Sequence, residues 1–172
     1  GTVNTGDDLR ESDGDYNNSD GDPLGDPLIV CGLGGDDTII GRDGRDIIEA
    51  GDLGASSLSG GLGDDHLRGS NDDDTILGGD GDDVLLGRDG DDDLQGGDGD
   101  NQYRPGDGDD TITGGSNLDI IFIDGDLGEF NFSSPCTRTS CTVTNTSNSN
   151  NKKTITSGEV IVFDDAKEYL YD

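Results

Sequence analysis

The 172-residue sequence has no tryptophan, no methionine and few apolar residues, since only 27% of it is hydrophobic. So little apolar material excludes a conventional globular core. No run of about 18 apolar residues occurs, which excludes a transmembrane helix. A signal peptide is also lacking, and the chain opens on Gly1 rather than Met, so we interpret it as a mature or excised product.

Basic residues are scarce as well, with ten Lys and Arg against forty Asp and Glu. The resulting net charge of −30 disfavours nucleic acid as a partner. Carboxylates at this density repel one another in a compact chain, and a hard divalent cation such as calcium would offset the repulsion. Solubility, or adaptation to high salt, is the alternative explanation of so acidic a surface.

A repeat of nine residues argues against the disorder that 31 glycines and the charge alone would predict. Residues 78–113 read GGDGDDVLL, GRDGDDDLQ, GGDGDNQYR and PGDGDDTIT, with nothing inserted between the units. Ten such units span residues 32–122, and we number them first to tenth. They begin at Gly32, Gly41, Gly51, Gly60, Gly69, Gly78, Gly87, Gly96, Pro105 and Gly114. Ala50 is interpreted as a one-residue insertion before the third unit.

Two positions of the unit are nearly invariant in chemistry. The eighth position is always apolar and holds Ile39, Ile48, Leu58, Leu67, Ile76, Leu85, Leu94, Tyr103, Ile112 and Ile121. The sixth position is Asp in eight of the ten units. The departures from the pattern are Ser56 and Asn101 at the sixth position, Pro105 at the first, and the insertion of Ala50.

This pattern predicts an all-β fold. Only alternate side chains of a strand face inward, so a three-residue strand buries its middle, eighth-position residue alone. Two units, each a strand with its glycine-rich turn, make one coil of about 18 residues, and stacked coils form two parallel sheets, a β-solenoid. One aliphatic layer is too thin to offset the entropy of ordering the chain, so we expect calcium binding and folding to be coupled.

Turns two units apart share an edge of this solenoid, which predicts two rows of metal ligands. The odd edge carries Asp37, Ser56, Asp74, Asp92 and Asp110, and the even edge carries Asp46, Asp65, Asp83, Asn101 and Asp119. A calcium ion between neighbouring turns would take carboxylates from both turns and backbone carbonyls from the loops. Four gaps on each edge allow about eight ions at most, and the gaps beside Ser56 should be weak or empty.

Further ligands are expected from the third-position aspartates and from the turn carbonyls. These are Asp43, Asp80, Asp89, Asp98 and Asp107, and the carbonyls of Gly60, Gly78, Gly87 and Gly96.

The two ends of the chain do not follow the period. Residues 1–31 contain Pro23 and Pro27 and are predicted to be an irregular lead-in, which caps the first coil or contacts another subunit. Residues 123–172 alternate apolar and polar side chains in short runs and are predicted to form a small β-cap on the last coil.

The three cysteines give information on the redox state of the compartment in which the protein works. Cys136 and Cys141 lie five residues apart in a Thr/Ser-rich stretch and would suit a disulfide across a hairpin in an oxidising compartment. Cys31 is then either buried at the mouth of the roll or paired with another chain.

Residues 32–122 resemble the RTX, or hemolysin-type, calcium-binding repeats of secreted bacterial toxins, proteases, epimerases and adhesins. The tail resembles the sequence that often follows such repeats, in residues 121–125 (IFIDG) and 158–165 (GEVIVFDD). The resemblance implies a right-handed parallel β-roll. It also implies that the protein is exported unfolded and folds when it meets calcium outside the cell.

Catalysis has little support in the sequence, and we predict that the chain is not an enzyme. The lone His66 falls at an outward strand position. No Cys/His cluster has zinc spacing, and hard carboxylates disfavour zinc and copper. Acid pairs like those of glycosidases are inevitable among forty acids, and the glycine-rich turns lack a P-loop lysine.

Outward-facing apolar residues recur in the even units. Ile47, Val84 and Ile120 share the seventh position, with Leu86 and Phe122 beside them. Stacked in a column they would form a contiguous patch, and such patches often mark contacts. We therefore predict that this face is covered by the N-terminal segment or by a neighbouring subunit, and that the solenoid can also pack end to end.

The leading functional prediction is an extracellular, calcium-binding, non-enzymatic structural protein of a matrix, surface layer, adhesin or filament. The main alternative is the C-terminal folding and secretion module of a secreted protease, lipase or epimerase, which a gene extending upstream of Gly1 would favour. Ice binding is a third hypothesis, disfavoured because the third turn position is mostly Asp.

Overall fold

Two nine-stranded sheets face each other across one layer of aliphatic side chains in the computed structural model of the chain. The structure describes residues 8–11, 16–17, 27–133, 140–148, 150–157, 160–163 and 168–170. Sheet A contains, in spatial order, β1 (Asp8–Glu11), β3 (Leu28–Cys31), β5 (Ile47–Glu49), β7 (His66–Arg68), β9 (Val84–Asp89), β11 (Gln102–Asp107), β13 (Ile120–Ile123), β17 (Val160–Phe163) and β18 (Glu168–Leu170). Sheet B contains β2 (Tyr16–Asn17), β4 (Thr38–Asp43), β6 (Ser57–Leu62), β8 (Thr75–Asp80), β10 (Asp93–Asp98), β12 (Asp109–Gly115), β16 (Lys152–Thr156), β15 (Cys141–Asn145) and β14 (Phe130–Phe132).

Successive strands alternate between the two sheets, so each coil contributes one strand to each. Within sheet B, Leu94 pairs with Ile76 on one side and with Ile112 on the other, each of them two repeat units away. All pairs from β1 to β13 are parallel. The predicted parallel β-solenoid, with two units and ~18 residues per coil, is confirmed.

The core is the predicted ladder of eighth-position residues. All ten, from Ile39 to Ile121, are fully buried with exposed fractions of 0%. Many strands are longer than the three residues predicted, because they run on into the first three residues of the next unit, as β9 does from Val84 to Asp89. The first residue of each unit is buried too, and where it is glycine it leaves room for the neighbouring turn.

The structure corrects the position of the insertion. Ala50 is fully buried and its N–H donates to the Arg68 carbonyl at 2.9 Å, as the first residue of a unit does elsewhere. The Leu53 carbonyl accepts from the Gly35 N–H at 2.8 Å, as third-position carbonyls do. The extra residue is therefore Asp52, in the turn. Sequence spacing placed it at Ala50 because Gly51 resembles a first-position glycine.

The N-terminal lead-in is less irregular than predicted. Strands β1 and β3 pair in parallel and extend sheet A, while Tyr16 pairs with Ile39 and extends sheet B. Leu28 and Val30 alternate inward and are buried, so the lead-in continues the apolar layer. The rest of residues 1–26 lies outside the described residues, and the boundaries of the three predicted segments stay predictions.

The β-cap on the last coil is present. Strand β16 pairs in parallel with β12, and β15 and β14 then follow as antiparallel strands. On sheet A, β17 extends β13 in parallel and β18 ends the sheet in antiparallel pairing. A one-turn 3-10 helix (Leu127–Glu129) leads into β14, and the Phe130 and Phe163 rings pack with centroids 5.3 Å apart.

The disulfide predicted between Cys136 and Cys141 stays a prediction. Cys141 is disulfide-bonded, and its predicted partner Cys136 lies outside the described residues. Cys31, at the end of β3, carries a free and partly exposed thiol.

The predicted apolar patch on sheet A is not contiguous, and that prediction was wrong. Ile47, Val84 and Ile120 do share one column, but His66 stands between the first two and Gln102 between the last two. The period of two units brings every even unit into the column, and not only the apolar ones. His66 is exposed there, as predicted.

Candidate metal sites along the two edges

The turns owe their shape to residues with left-handed backbone at the second and fourth positions. Gly79 and Gly81 have φ of 126° and 135°, a region that costs a residue with a side chain about 1–3 kcal/mol. Side chains at these points would also collide with the preceding coil's backbone. Arg42 and Arg88 occupy the second position with φ of 91° and 90°, and are exceptions to the rule.

The sixth-position residues form an inner ladder along each edge. Six buried carboxylates accept, through Oδ1, the backbone N–H of the sixth-position residue one coil earlier: Asp65, Asp74, Asp83, Asp92, Asp110 and Asp119. On the even edge Asp65 Oδ1 lies 2.7 Å from the Asp46 nitrogen, and Asp83 Oδ1 lies 2.8 Å from the Asp65 nitrogen. On the odd edge Asp92 and Asp110 accept in the same way at 2.8 and 3.0 Å. The predicted ligand rows are thus real columns of buried side chains.

A second, outer ladder was missed by the sequence analysis. Fifth-position aspartates accept from the backbone of the following coil, so they point in the opposite direction to the inner ladder. Asp64 Oδ1 accepts from the Asp82 N–H at 3.1 Å, and Asp82 Oδ1 from the Asp100 N–H at 2.9 Å. The signal was available, because the fifth position is Asp in seven of the ten units.

The second oxygen of the inner ladder is the feature that fits an ion. In Asp46, Asp65, Asp83 and Asp92 the Oδ2 atom is buried and has no hydrogen-bond partner among the described residues. A buried carboxylate oxygen without a donor is costly. A cation bound at this oxygen would offset that cost.

Backbone oxygens converge on the same places. A Cβ built on Gly78 would meet both Asp83 Oδ2 and, at 2.6 Å, the carbonyl oxygen of Gly96 one coil further on. At Gly41 the same two oxygens come from Asp46 and, at 2.7 Å, from Gly60. The first-position glycine therefore brings a carboxylate and a carbonyl together, which is the ligand chemistry that calcium prefers.

Burial perturbs these carboxyl groups strongly. Burial is the largest cause that raises the pKa of Asp65 to about 7, of Asp83 to about 6 and of Asp92 to about 8. The charges of neighbouring aspartates add to the rise, and backbone N–H donors oppose it. For Asp46 the pKa is raised by burial as well. At these four positions, hydrogen bonds from the described residues therefore compensate the ionised carboxyl group only in part.

The predicted additional ligands are less well placed. The third-position residues Asp43, Asp80, Asp89, Asp98 and Asp107 are all exposed. Asp98 accepts from the Ser116 hydroxyl and Asp107 from the Asn151 amide, both at 2.7 Å. Among the described residues no three acidic, histidine or cysteine side chains are grouped to hold a metal by themselves. An ion on either edge would therefore depend on backbone carbonyls as well as on the inner ladder.

These edges define a class of protein: a parallel β-solenoid whose turns are lined with buried aspartates. Residues 32–112 match the family model of the RTX calcium-binding nonapeptide repeat in four copies, at 32–52, 51–85, 68–103 and 77–112. This region is an RTX calcium-binding repeat region. No curated protein matches the chain significantly. In the described part of the chain, no helix has the length and apolarity needed to cross a membrane.

Replacing Gly78 by alanine should weaken calcium binding. The new methyl group would push Asp83 Oδ2 away from the Gly96 carbonyl, and overpacking of this kind costs roughly 1–3 kcal/mol. The calcium midpoint of folding, followed by circular dichroism, should rise about tenfold. Gly128→Ala is the matched control, because a Cβ on Gly128 would meet no atom within 4 Å, so this variant should keep its midpoint. Equal midpoints for the two variants would contradict this role of Gly78.

Proposed function

We propose that the chain is an extracellular, non-enzymatic calcium-binding scaffold with a structural role in a matrix, surface layer, adhesin or filament. Calcium ions along both edges would hold successive coils in register, with the inner-ladder aspartates and first-position carbonyls as ligands. Proteins with RTX repeats are generally secreted, which supports an extracellular setting.

One observation carries the proposal. Four inner-ladder carboxylates each present a buried Oδ2 without a donor among the described residues, in a chain whose net charge is −30. Since no hydrogen bond of the described residues compensates those four oxygens, a bound cation would compensate them while the carboxyl groups are ionised. A solenoid that rigidifies in this way suits a load-bearing or spacing role.

The ligand assignment is tested by Asp83→Asn beside Asp93→Asn, two variants with the same change of charge. Asp83 is buried on the even edge, whereas Asp93 lies on the outward face of β10. Asp83→Asn should raise the calcium midpoint by about tenfold, and Asp93→Asn should leave it nearly unchanged. Equal shifts in the two variants would show that calcium acts as a diffuse counter-ion.

The structural role is tested by light scattering on the calcium-folded chain. A molar mass that grows with calcium and falls after chelation supports assembly into a matrix or filament. A monomer at every calcium concentration contradicts a self-assembling role.

A further inference from the structure

The ten turns are not equivalent, because in four of them a protein group stands in the place that corresponds to the Oδ2 atoms of Asp46, Asp65, Asp83 and Asp92. The eighth unit shows this most clearly. A Cβ on Gly96 would meet the Tyr103 hydroxyl and the Asn101 side-chain nitrogen instead of a carboxylate oxygen. The Tyr103 hydroxyl donates to the Gly114 carbonyl at 2.9 Å, and Asn101 Nδ2 donates to the Gly99 carbonyl at 3.3 Å.

Asn101 and Tyr103 are therefore linked substitutions. The amide removes the negative charge of the sixth position, yet its Oδ1 still accepts the Asp83 N–H at 2.9 Å, so the inner ladder is unbroken. The tyrosine is the only eighth-position residue with a polar atom, and its hydroxyl bonds the first-position carbonyl of the next coil. Together they satisfy by hydrogen bonds the groups that an ion would otherwise hold.

We call a turn closed where a group of the protein itself occupies the place of an ion, as in the eighth unit, and open otherwise. The ninth unit is closed by Lys153 from the cap. Lys153 Nζ lies 2.5 Å from Asp110 Oδ2 and donates to the Gly108 carbonyl at 2.8 Å, and both charged side chains are essentially buried. In register, Lys153 pairs with Asp110 itself, so it occupies the sixth position of the next coil. The first position of this unit is the buried Pro105, whose ring fills the space left by glycine elsewhere.

The third and fifth units are closed by smaller groups. In the third unit the first position is Ala50 and the sixth is Ser56, so both the space and the carboxylate are gone. In the fifth unit Asp74 Oδ2 accepts the Ser70 N–H at 2.5 Å, and Oδ1 accepts the Ser56 N–H at 2.6 Å.

A tethered cation also lies along this part of the odd edge. The Arg88 guanidinium reaches back two coils and donates to the Gly51 carbonyl at 3.0 Å, with Asp52 Oδ1 3.4 Å away. It passes the level of the fifth unit, where both oxygens of Asp74 already have donors.

We propose that these four closed turns bind no calcium, so that ions are confined to the remaining six turns at most. Three of those six, with Asp46, Asp65 and Asp83, follow one another on the even edge. The odd edge is closed in its third, fifth and ninth units. The even edge thus depends on calcium in its second, fourth and sixth units, while the odd edge is held at its third, fifth and ninth units by serine and lysine groups of the chain itself. This inference rests on the proposed calcium-binding function and assigns where it operates.

The test is a reciprocal exchange between a closed and an open turn in the full chain. Asn101→Asp with Tyr103→Leu opens the eighth unit and recreates the pair found at Asp65 and Leu67. Asp65→Asn with Leu67→Tyr closes the fourth unit. Bound calcium is counted by native mass spectrometry and by calorimetric titration. The opening variant should bind one ion more than the unchanged chain, and the closing variant one ion fewer.

A second opening variant, Lys153→Asp with Pro105→Gly, should also gain one ion. Circular dichroism at saturating calcium checks that each variant folds. If an opening variant does not fold, the ion count of the closing variant tests the inference. Ion counts that stay the same in the exchanged chains overturn the inference while the calcium-binding function stands. An unchanged chain that binds no calcium overturns both.

Discussion

Chelation of calcium is expected to abolish most of the strand signal of the folded chain, and re-addition to restore it. The hydrophobic core is one residue thick, with a single fully buried aliphatic or aromatic side chain per unit. Four buried carboxylate oxygens have no donor among the described residues, and forty acidic residues repel one another. Without an ion the folded state must bear these costs, so the binding free energy of calcium is largely folding free energy.

The measurement is circular dichroism and small-angle scattering during a calcium titration. Strand signal and compactness should rise together as calcium is added. Magnesium at the same concentration should not shift the calcium midpoint, because magnesium loses its bound water reluctantly. Monovalent salt at high ionic strength is the control for screening. Full folding in salt alone would mean that general repulsion, and not specific sites, opposes the calcium-free fold.

Acidification is expected to stabilise the calcium-free chain. Burial, the largest cause, raises the pKa of Asp65, Asp83 and Asp92 to about 7, 6 and 8, against 3.8 for an exposed carboxyl group. Since the pKa values in the folded state are higher than in the unfolded state, the folded chain binds more protons between these limits. The contribution of these three groups to the free energy of unfolding is therefore fully present below pH 3.8 and is lost as the pH rises through 6 to 8. Each pKa unit corresponds to about 1.4 kcal/mol.

In a chelator, the strand signal should grow as the pH falls from about 8 to about 5. Calcium needs the ionised carboxylates, so its folding midpoint should move to higher concentration over the same interval. A triple variant with Asp65, Asp83 and Asp92 changed to Asn should lose this pH dependence. The control triple changes the exposed Asp80, Asp89 and Asp98 to Asn and should keep it. Equal flattening in both triples would attribute the effect to total charge.

Most of the solenoid could be predicted from the period of nine. The apolar residue at the eighth position of each unit can be buried only if coils of two units stack, and Leu94 does pair with Ile76 and Ile112. The inner ladder followed from the same spacing. The recurrence of Asp at the fifth position pointed to the outer ladder as well, but not to the direction of its hydrogen bonds, because the turn's backbone decides whether an aspartate accepts from the coil before or after it.

The cap shows what a closer comparison of the sequence with itself would have revealed. Residues 109–113 read DDTIT and residues 152–156 read KKTIT, so the strand of the last coil repeats with its two aspartates replaced by lysines. In the structure Lys152 pairs with Asp109 and Lys153 with Asp110. The long stretch of chain between Thr113 and Lys152 hid this repeat, because the units were recognised by their fixed spacing.

By itself the sequence determined the repeat, the coil length, the aliphatic layer and the two acidic edges, because periodicity alone dictates which side chains face inward and which turns stack. Only the tertiary structure decided which turns can accept an ion. That depends on contacts between residues far apart in the chain or chemically unlike the repeat, such as Lys153 with Asp110 and the Tyr103 hydroxyl with the Gly114 carbonyl. A sixth-position aspartate is necessary for an ion site, but its second oxygen is available only where no other part of the protein has already reached it.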